Sequence, residues 1–125
     1  MNQLALVFGG IFGFLAILFG AFGAHLLKKK LTKEQLQSFE TGVKYQMYHA
    51  LILLIIGFQI DVISLKFAIY GFILGTILFS FSIYGLVISS TIHKKLSFLG
   101  PITPIGGLIL LASWAILTYK IITGF

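Results

Sequence analysis

The residues able to do chemistry concentrate in one stretch, Phe39-Glu40-Thr41-Gly42-Val43-Lys44-Tyr45-Gln46-Met47-Tyr48-His49-Ala50, which runs from polar sequence straight into an apolar segment. Glu40, Lys44, Tyr45, Gln46, Tyr48 and His49 between them offer hydrogen bonding, proton transfer and ion recognition. Tyr45 and His49 stand four apart, as do Glu40 and Lys44, so each pair shares a helix face. The plainer uses of the same pairs are a structural hydrogen bond and a surface ion pair. Three more polar residues border or enter apolar runs: His25 closes the first, Ser80 lies within the third, and Thr103 opens the fourth. Polar groups placed in lipid are costly unless they face protein or water, so a cluster at that depth needs a reason.

Catalysis is not expected from these residues. Ser80 or Ser82 would need a positioned base and an oxyanion site, and the sequence offers neither. His25, His49 and His93 lack the close spacing of a metal-ligand motif, so no metal or other cofactor is expected. His93, beside Lys94 and Lys95, reads as a loop residue in water. Cysteine is absent, which excludes disulfides, thiolate catalysis and cysteine metal sites. Gly106-Gly107 follows no strand and lacks the spacing of a nucleotide loop.

Any such cluster must be positioned by membrane helices. The chain has 125 residues, of which 58% are hydrophobic and only 10% charged; soluble domains carry about 25% charged residues. Its mean hydropathy is +1.06. The expected fold is all-α: a single integral membrane domain, a four-transmembrane-helix bundle with spans near residues 4–26, 42–60, 67–91 and 103–122. A signal peptide competes for the first run, since Ala21-Phe22-Gly23-Ala24 supplies small residues. No lysine precedes the run, however, and it exceeds a usual signal core, so a span is the expectation. Thr32-Lys33-Glu34-Gln35 has the form of a capping box, with Leu31 and Leu36 spaced as a hydrophobic staple. An amphipathic helix should therefore begin near Lys33, with Leu36, Phe39, Val43 and Met47 on one face, and enter the bilayer with a bend near Gly42. Thr103 as cap and Pro104 at the first helical position would start the last helix. Small residues at four-residue steps (Gly9, Gly13; Gly71, Gly75) point to close helix packing, within one chain or between copies.

Lysine placement predicts the direction of threading. Lys28, Lys29, Lys30, Lys33 and Lys44 follow span one, Lys94 and Lys95 follow span three, and only Lys66 and Lys120 lie on the other side. The first group should be cytoplasmic and both termini outside, in a bacterial inner membrane. His25, the Glu40–His49 stretch and Thr103 would then meet at the cytoplasmic leaflet, with Ser80 deeper. The exposed N–H groups at the start of the last helix favour an anion, and Glu40 is expected to satisfy them or a neighbouring histidine.

The blocks Gly20-Ala21-Phe22-Gly23-Ala24-His25, Phe39 through Ala50, Leu78-Phe79-Ser80 and Leu99-Gly100-Pro101-Ile102-Thr103-Pro104-Ile105-Gly106-Gly107 resemble the signature blocks of the YgdD/YwdK-type bacterial membrane proteins, a family of unknown function related to transmembrane protein 256. The resemblance covers essentially the whole chain; Phe81 departs from it, standing where the pattern has a small residue. It implies a small inner-membrane protein of four helices, and it brings no reaction, substrate or cofactor with it.

The expected role is non-catalytic binding or scaffolding, with a polar pocket at the cytoplasmic leaflet for a lipid, a small anion or a protein partner. Membrane lipids, anionic ones in particular, are the expected partners; a second copy or another membrane protein is the alternative, and nucleic acid is not expected. The competing function is a small transporter or channel using His25, Glu40 and His49 as a proton or ion relay.

Overall fold

The computed structural model describes residues 1–59 and 62–125, and every regular element among them is helical. Four long helices follow one another: α1 (Asn2–Leu27), α2 (Lys33–Gly57), α3 (Ile63–Thr91) and α4 (Ile102–Thr123). A single 3-10 turn, Ser97–Leu99, precedes α4. Two of the helices contain a π-helical turn, Leu18–Gly23 in α1 and Ile77–Phe81 in α3. The helices built on α1, α3 and α4 are long and apolar enough to cross a membrane. At 25 residues α2 is of similar length, but its N-terminal half is polar. The end expected for the second span, Ile60, lies outside the described residues.

The start of α2 has a local cause. Thr32 Oγ1 accepts from the Gln35 N–H at 3.1 Å while Gln35 Oε1 accepts from the Thr32 N–H at 2.9 Å, the capping box the sequence pattern predicts. Thr32→Ala should cost about 1 kcal/mol of stability, measured by reversible denaturation in mixed micelles. The start of α4 differs from expectation. Pro101, not Thr103, is the cap; the helix begins at Ile102, and Thr103 lies in its first turn. Pro104 is tolerated there because the first four N–H groups of a helix have no helical acceptor to lose. No break interrupts the α-helix at Gly42.

The helices run antiparallel to their chain neighbours and form two hairpins, α1–α2 and α3–α4, joined along α2 and α3. Glycines set the close approaches within the chain. A Cβ built on Gly9 would lie 3.0 Å from the carbonyl oxygen of Ala50, and one on Gly106 would lie 2.8 Å from the Leu78 carbonyl carbon. The larger core joins Phe12, Leu53, Ile69, Phe72 and Leu110; the smaller centres on Phe39, Tyr84 and Val87. Phe81 is half-buried, its ring 5.5 Å from Tyr84, 6.3 Å from Phe12 and 6.5 Å from Phe19, so it fills the α1–α3 seam.

Candidate functional site

Helix phase decides which polar residues face inward. On α2 the buried residues recur at steps of three and four: Phe39, Gly42, Gln46, His49, Leu53 and Ile56. Gln46 is fully buried and joins three helices. Its Oε1 accepts from Tyr84 Oη on α3 at 2.7 Å, and its Nε2 donates to the Phe12 carbonyl on α1 at 2.8 Å. One turn away, Ser80 Oγ donates to the Gly42 carbonyl at 2.8 Å. Gly42 makes this possible, since a Cβ there would lie 2.8 Å from the Tyr84 ring.

His49 ties α2 to α4. Its Nδ1 lies 2.6 Å from the Tyr45 carbonyl and its Nε2 lies 3.0 Å from Trp114 Nε1. A carbonyl only accepts and an indole N–H only donates, so the proton sits on Nδ1 and Nε2 is the acceptor. The neutral ring is satisfied at both nitrogens. Thr103, a further interhelical link, lies 2.5 Å from Ser82 Oγ, which also reaches the Phe79 carbonyl at 2.9 Å. With the single Ser82 proton given to that carbonyl, Thr103 is the donor. Thr76 Oγ1 is the one buried side-chain oxygen without a partner among the described residues.

The residues named from sequence thus divide. Gln46, His49, Ser80 and Thr103 join helices inside the bundle, and Tyr45 contributes its carbonyl to His49 while its half-exposed ring packs 5.3 Å from Phe79. His25, Glu40, Lys44 and Tyr48 are exposed and have no side-chain hydrogen bond or ion pair among the described residues. The expectation that Glu40 satisfies the start of α4 or a histidine is therefore overturned. Glu40 follows Phe39 by one residue, about 100° around the helix, which turns it away from the face that carries Gly42 and Gln46. No contact links His25, Glu40 and His49 into a chain among the described residues. Trp114 is the partner of His49, and nothing local in the sequence signals a bond across 65 positions.

A cleft of about 810 Å³ opens at the end of the bundle that carries Lys28, Lys29, Lys30, Lys33, Lys94 and Lys95. It is bounded by the start of α2 (Thr32, Glu34, Gln35, Ser38, Thr41), the end of α3 (Ile83, Leu86, Val87, Ser90) and the approach to α4 (Lys95, Ser97, Gly100, Thr103, Pro104). Gln35 Nε2 donates to Ser90 Oγ at 3.1 Å across it. Thr103 is the one residue of the expected cluster that lines this cleft. No group of His, Cys, Asp and Glu suited to a metal ion occurs among the described residues.

Residues 19–107 match the family described as "Protein of unknown function (DUF423)". The chain belongs to this family. The match takes in the Gln46–Tyr84 pair, Ser80, His49 and Thr103, and stops short of Trp114. Similar proteins include the UPF0382 membrane protein YwdK of Bacillus subtilis (strain 168), 39% identical over 109 residues, 87% of this chain and 88% of that protein. The UPF0382 membrane protein SH2409 of Staphylococcus haemolyticus (strain JCSC1435) is 37% identical over 123 residues, 96% of this chain and 98% of its own length. The UPF0382 membrane protein SAB0533 of Staphylococcus aureus (strain bovine RF122 / ET3-1) is 38% identical over 115 residues, 92% of each chain. No solved structure matches. With relatives named as membrane proteins and three long apolar helices of its own, the chain is a membrane protein of this family.

Proposed function

We propose that the protein crosses a bacterial cell membrane four times, lysine-rich end in the cytoplasm and both termini outside, and binds the headgroup of an anionic phospholipid, without catalysis, in the cleft at that end. At 25 residues α2 spans about 37 Å, enough for a hydrocarbon core of about 30 Å. Its Gln46 and His49 are turned inward and hydrogen-bonded, which lowers the cost of carrying them through lipid. Seven lysines at one end against two at the other support the orientation.

The observation that carries the binding reading is the lining of the cleft. A phosphodiester needs donors and a cation, and its glycerol and acyl stubs need apolar surface. Ser38, Ser97 and Lys95 supply the first, and Ile83, Leu86 and Val87 the second. Glu34 on the same lining favours a headgroup that also carries a hydroxyl or ammonium donor. The surrounding lysines add about 1 kcal/mol each at the membrane surface.

Native mass spectrometry of the protein from mixed micelles tests this. Phosphatidylglycerol should remain bound in preference to phosphatidylcholine of the same chain length. Lys95→Ala should weaken that retention about fivefold. Equal retention of the two lipids would overturn the reading.

A further inference from the structure

From the gap between α2 and α4 we infer that the protein seats one ester-linked acyl chain there, and that the Tyr45 hydroxyl donates to the ester carbonyl of that chain. The lipid is the one whose headgroup the cleft holds, so the seat depends on that reading.

Both α2 and α4 pack on α3 but scarcely on one another. Down the side of α2 turned toward α4, Glu34, Ser38, Thr41, Tyr45, Tyr48 and Ile52 follow at steps of four, three, four, three and four, one continuous stripe. The first three line the cleft, and the last three line a second hollow of about 470 Å³ that Trp114 bounds from α4. Between the two, the Phe79 ring forms the floor. It lies 5.3 Å from the Tyr45 ring on one side, and on the other its carbons would be 3.8 Å and 4.0 Å from a Cβ on Gly107. Further along, the His49–Trp114 bond crosses the same floor at 3.0 Å.

Polarity, length and width say what lies in this gap. Its walls pass from Glu34, Ser38 and Lys95 at one end to Ile52 and Ile55 at the other, the order of a lipid from head to tail. From Thr41 to Ile52 the helix rises about 16 Å, the depth of one leaflet in a hydrocarbon core about 30 Å thick. Side chains touch across the floor, so a helix about 10 Å wide does not enter between α2 and α4. A single run of methylenes does.

Tyr45 fixes the depth of the glycerol. Its hydroxyl and that of Tyr48 have no partner among the described residues, and the two rings meet edge to face at 5.6 Å. Side chains on a helix lean toward its N-terminus, which for α2 is the cleft end. Tyr45 therefore reaches back toward the glycerol of a lipid held in the cleft. An ester carbonyl accepts and a phenol donates, and a polar group left unpaired in hydrocarbon is costly.

Two lipids that differ only in linkage test the contact. Native mass spectrometry should show phosphatidylglycerol retained about fivefold better than its ether-linked counterpart of equal chain length, the worth of one hydrogen bond. Tyr45→Phe should erase that difference and leave the preference for phosphatidylglycerol over phosphatidylcholine in place. Phosphatidylglycerol carrying a diazirine midway along one chain, at one lipid per protein, should label α2 between Tyr45 and Ile55 and the neighbourhood of Trp114. The equally accessible Phe14 on α1 and Leu108 on α4 should stay unlabelled. Equal retention of ester and ether lipids, a difference that survives Tyr45→Phe, or label at Phe14 and Leu108 would each overturn the seat and leave the headgroup reading standing. No preference over phosphatidylcholine in the unmodified protein would overturn both.

Discussion

Gly106→Ala should destabilise the bundle by about 1–3 kcal/mol, the cost of forcing extra volume into a packed contact, while Gly107→Ala next to it should be neutral or slightly stabilising. The added methyl at position 106 would lie 2.8 Å from the Leu78 carbonyl carbon and 2.9 Å from the Phe79 Cα. Both are backbone atoms of α3, which cannot swing aside as a side-chain tip can. At position 107 the nearest atoms are Phe79 ring carbons at 3.8 Å and 4.0 Å, and alanine is favoured over glycine in a helix by up to about 1 kcal/mol. Trp114 is the only tryptophan and lies on α4, so its fluorescence during denaturation in mixed micelles reads both variants. Equal losses at the two positions would mean that α3 and α4 do not meet at Gly106.

Gln46→Leu should cost a comparable amount for a different reason. Leucine fills much the same volume, so the loss is not a cavity. It takes the 2.7 Å acceptor from the Tyr84 hydroxyl, which is buried and has only Ser80 beside it otherwise. An unsatisfied buried hydroxyl costs about 1–3 kcal/mol, more than the roughly 0.6 kcal/mol average of a hydrogen bond between membrane helices. Tyr84→Phe should be damaging too, because it deprives Gln46 Oε1 of its donor. Combining the two removes both orphans at once, so the double variant should lose less than the sum of the single losses. Additive losses would show that the pair does not act as a unit. Glu40→Gln, by contrast, touches no internal contact and should leave the stability of the single chain unchanged.

Several features were legible because their causes are local. The capping box at Thr32 needs only residues three apart, and the long apolar runs need only composition. The polar block from Glu40 to His49 was visible as a block, but its division was not. Whether Glu40 or Gln46 points inward depends on how α2 is turned against α1 and α3, which no single helix reveals. One clue was present: Gly42, Gln46, His49 and Leu53 follow one another at steps of four, three and four, a small residue leading a helical face. Of the stripe read from sequence, Phe39 is buried on that face, while Leu36, Val43 and Met47 lie on its flank and are half-buried. The lining of the cleft was not legible, because Gln35, Ser90 and Ser97 come from three separate regions and look like ordinary interfacial residues when taken singly.

The π turn in α3 has a bearing on how related chains are read. Phe72, Thr76, Ser80 and Tyr84 are all buried, yet they stand four apart, and a regular α-helix drifts about 40° with each such step. Ile77–Phe81 widens the helix inside that run and absorbs the drift, holding all four in line. Across this region one inward row therefore runs at steps of four, beside Ile73, Gly75 and Ser82, which are buried too. Anyone aligning a relative there should keep the four-residue beat and resist closing a one-residue offset, because that single place keeps Tyr84 clocked toward Gln46.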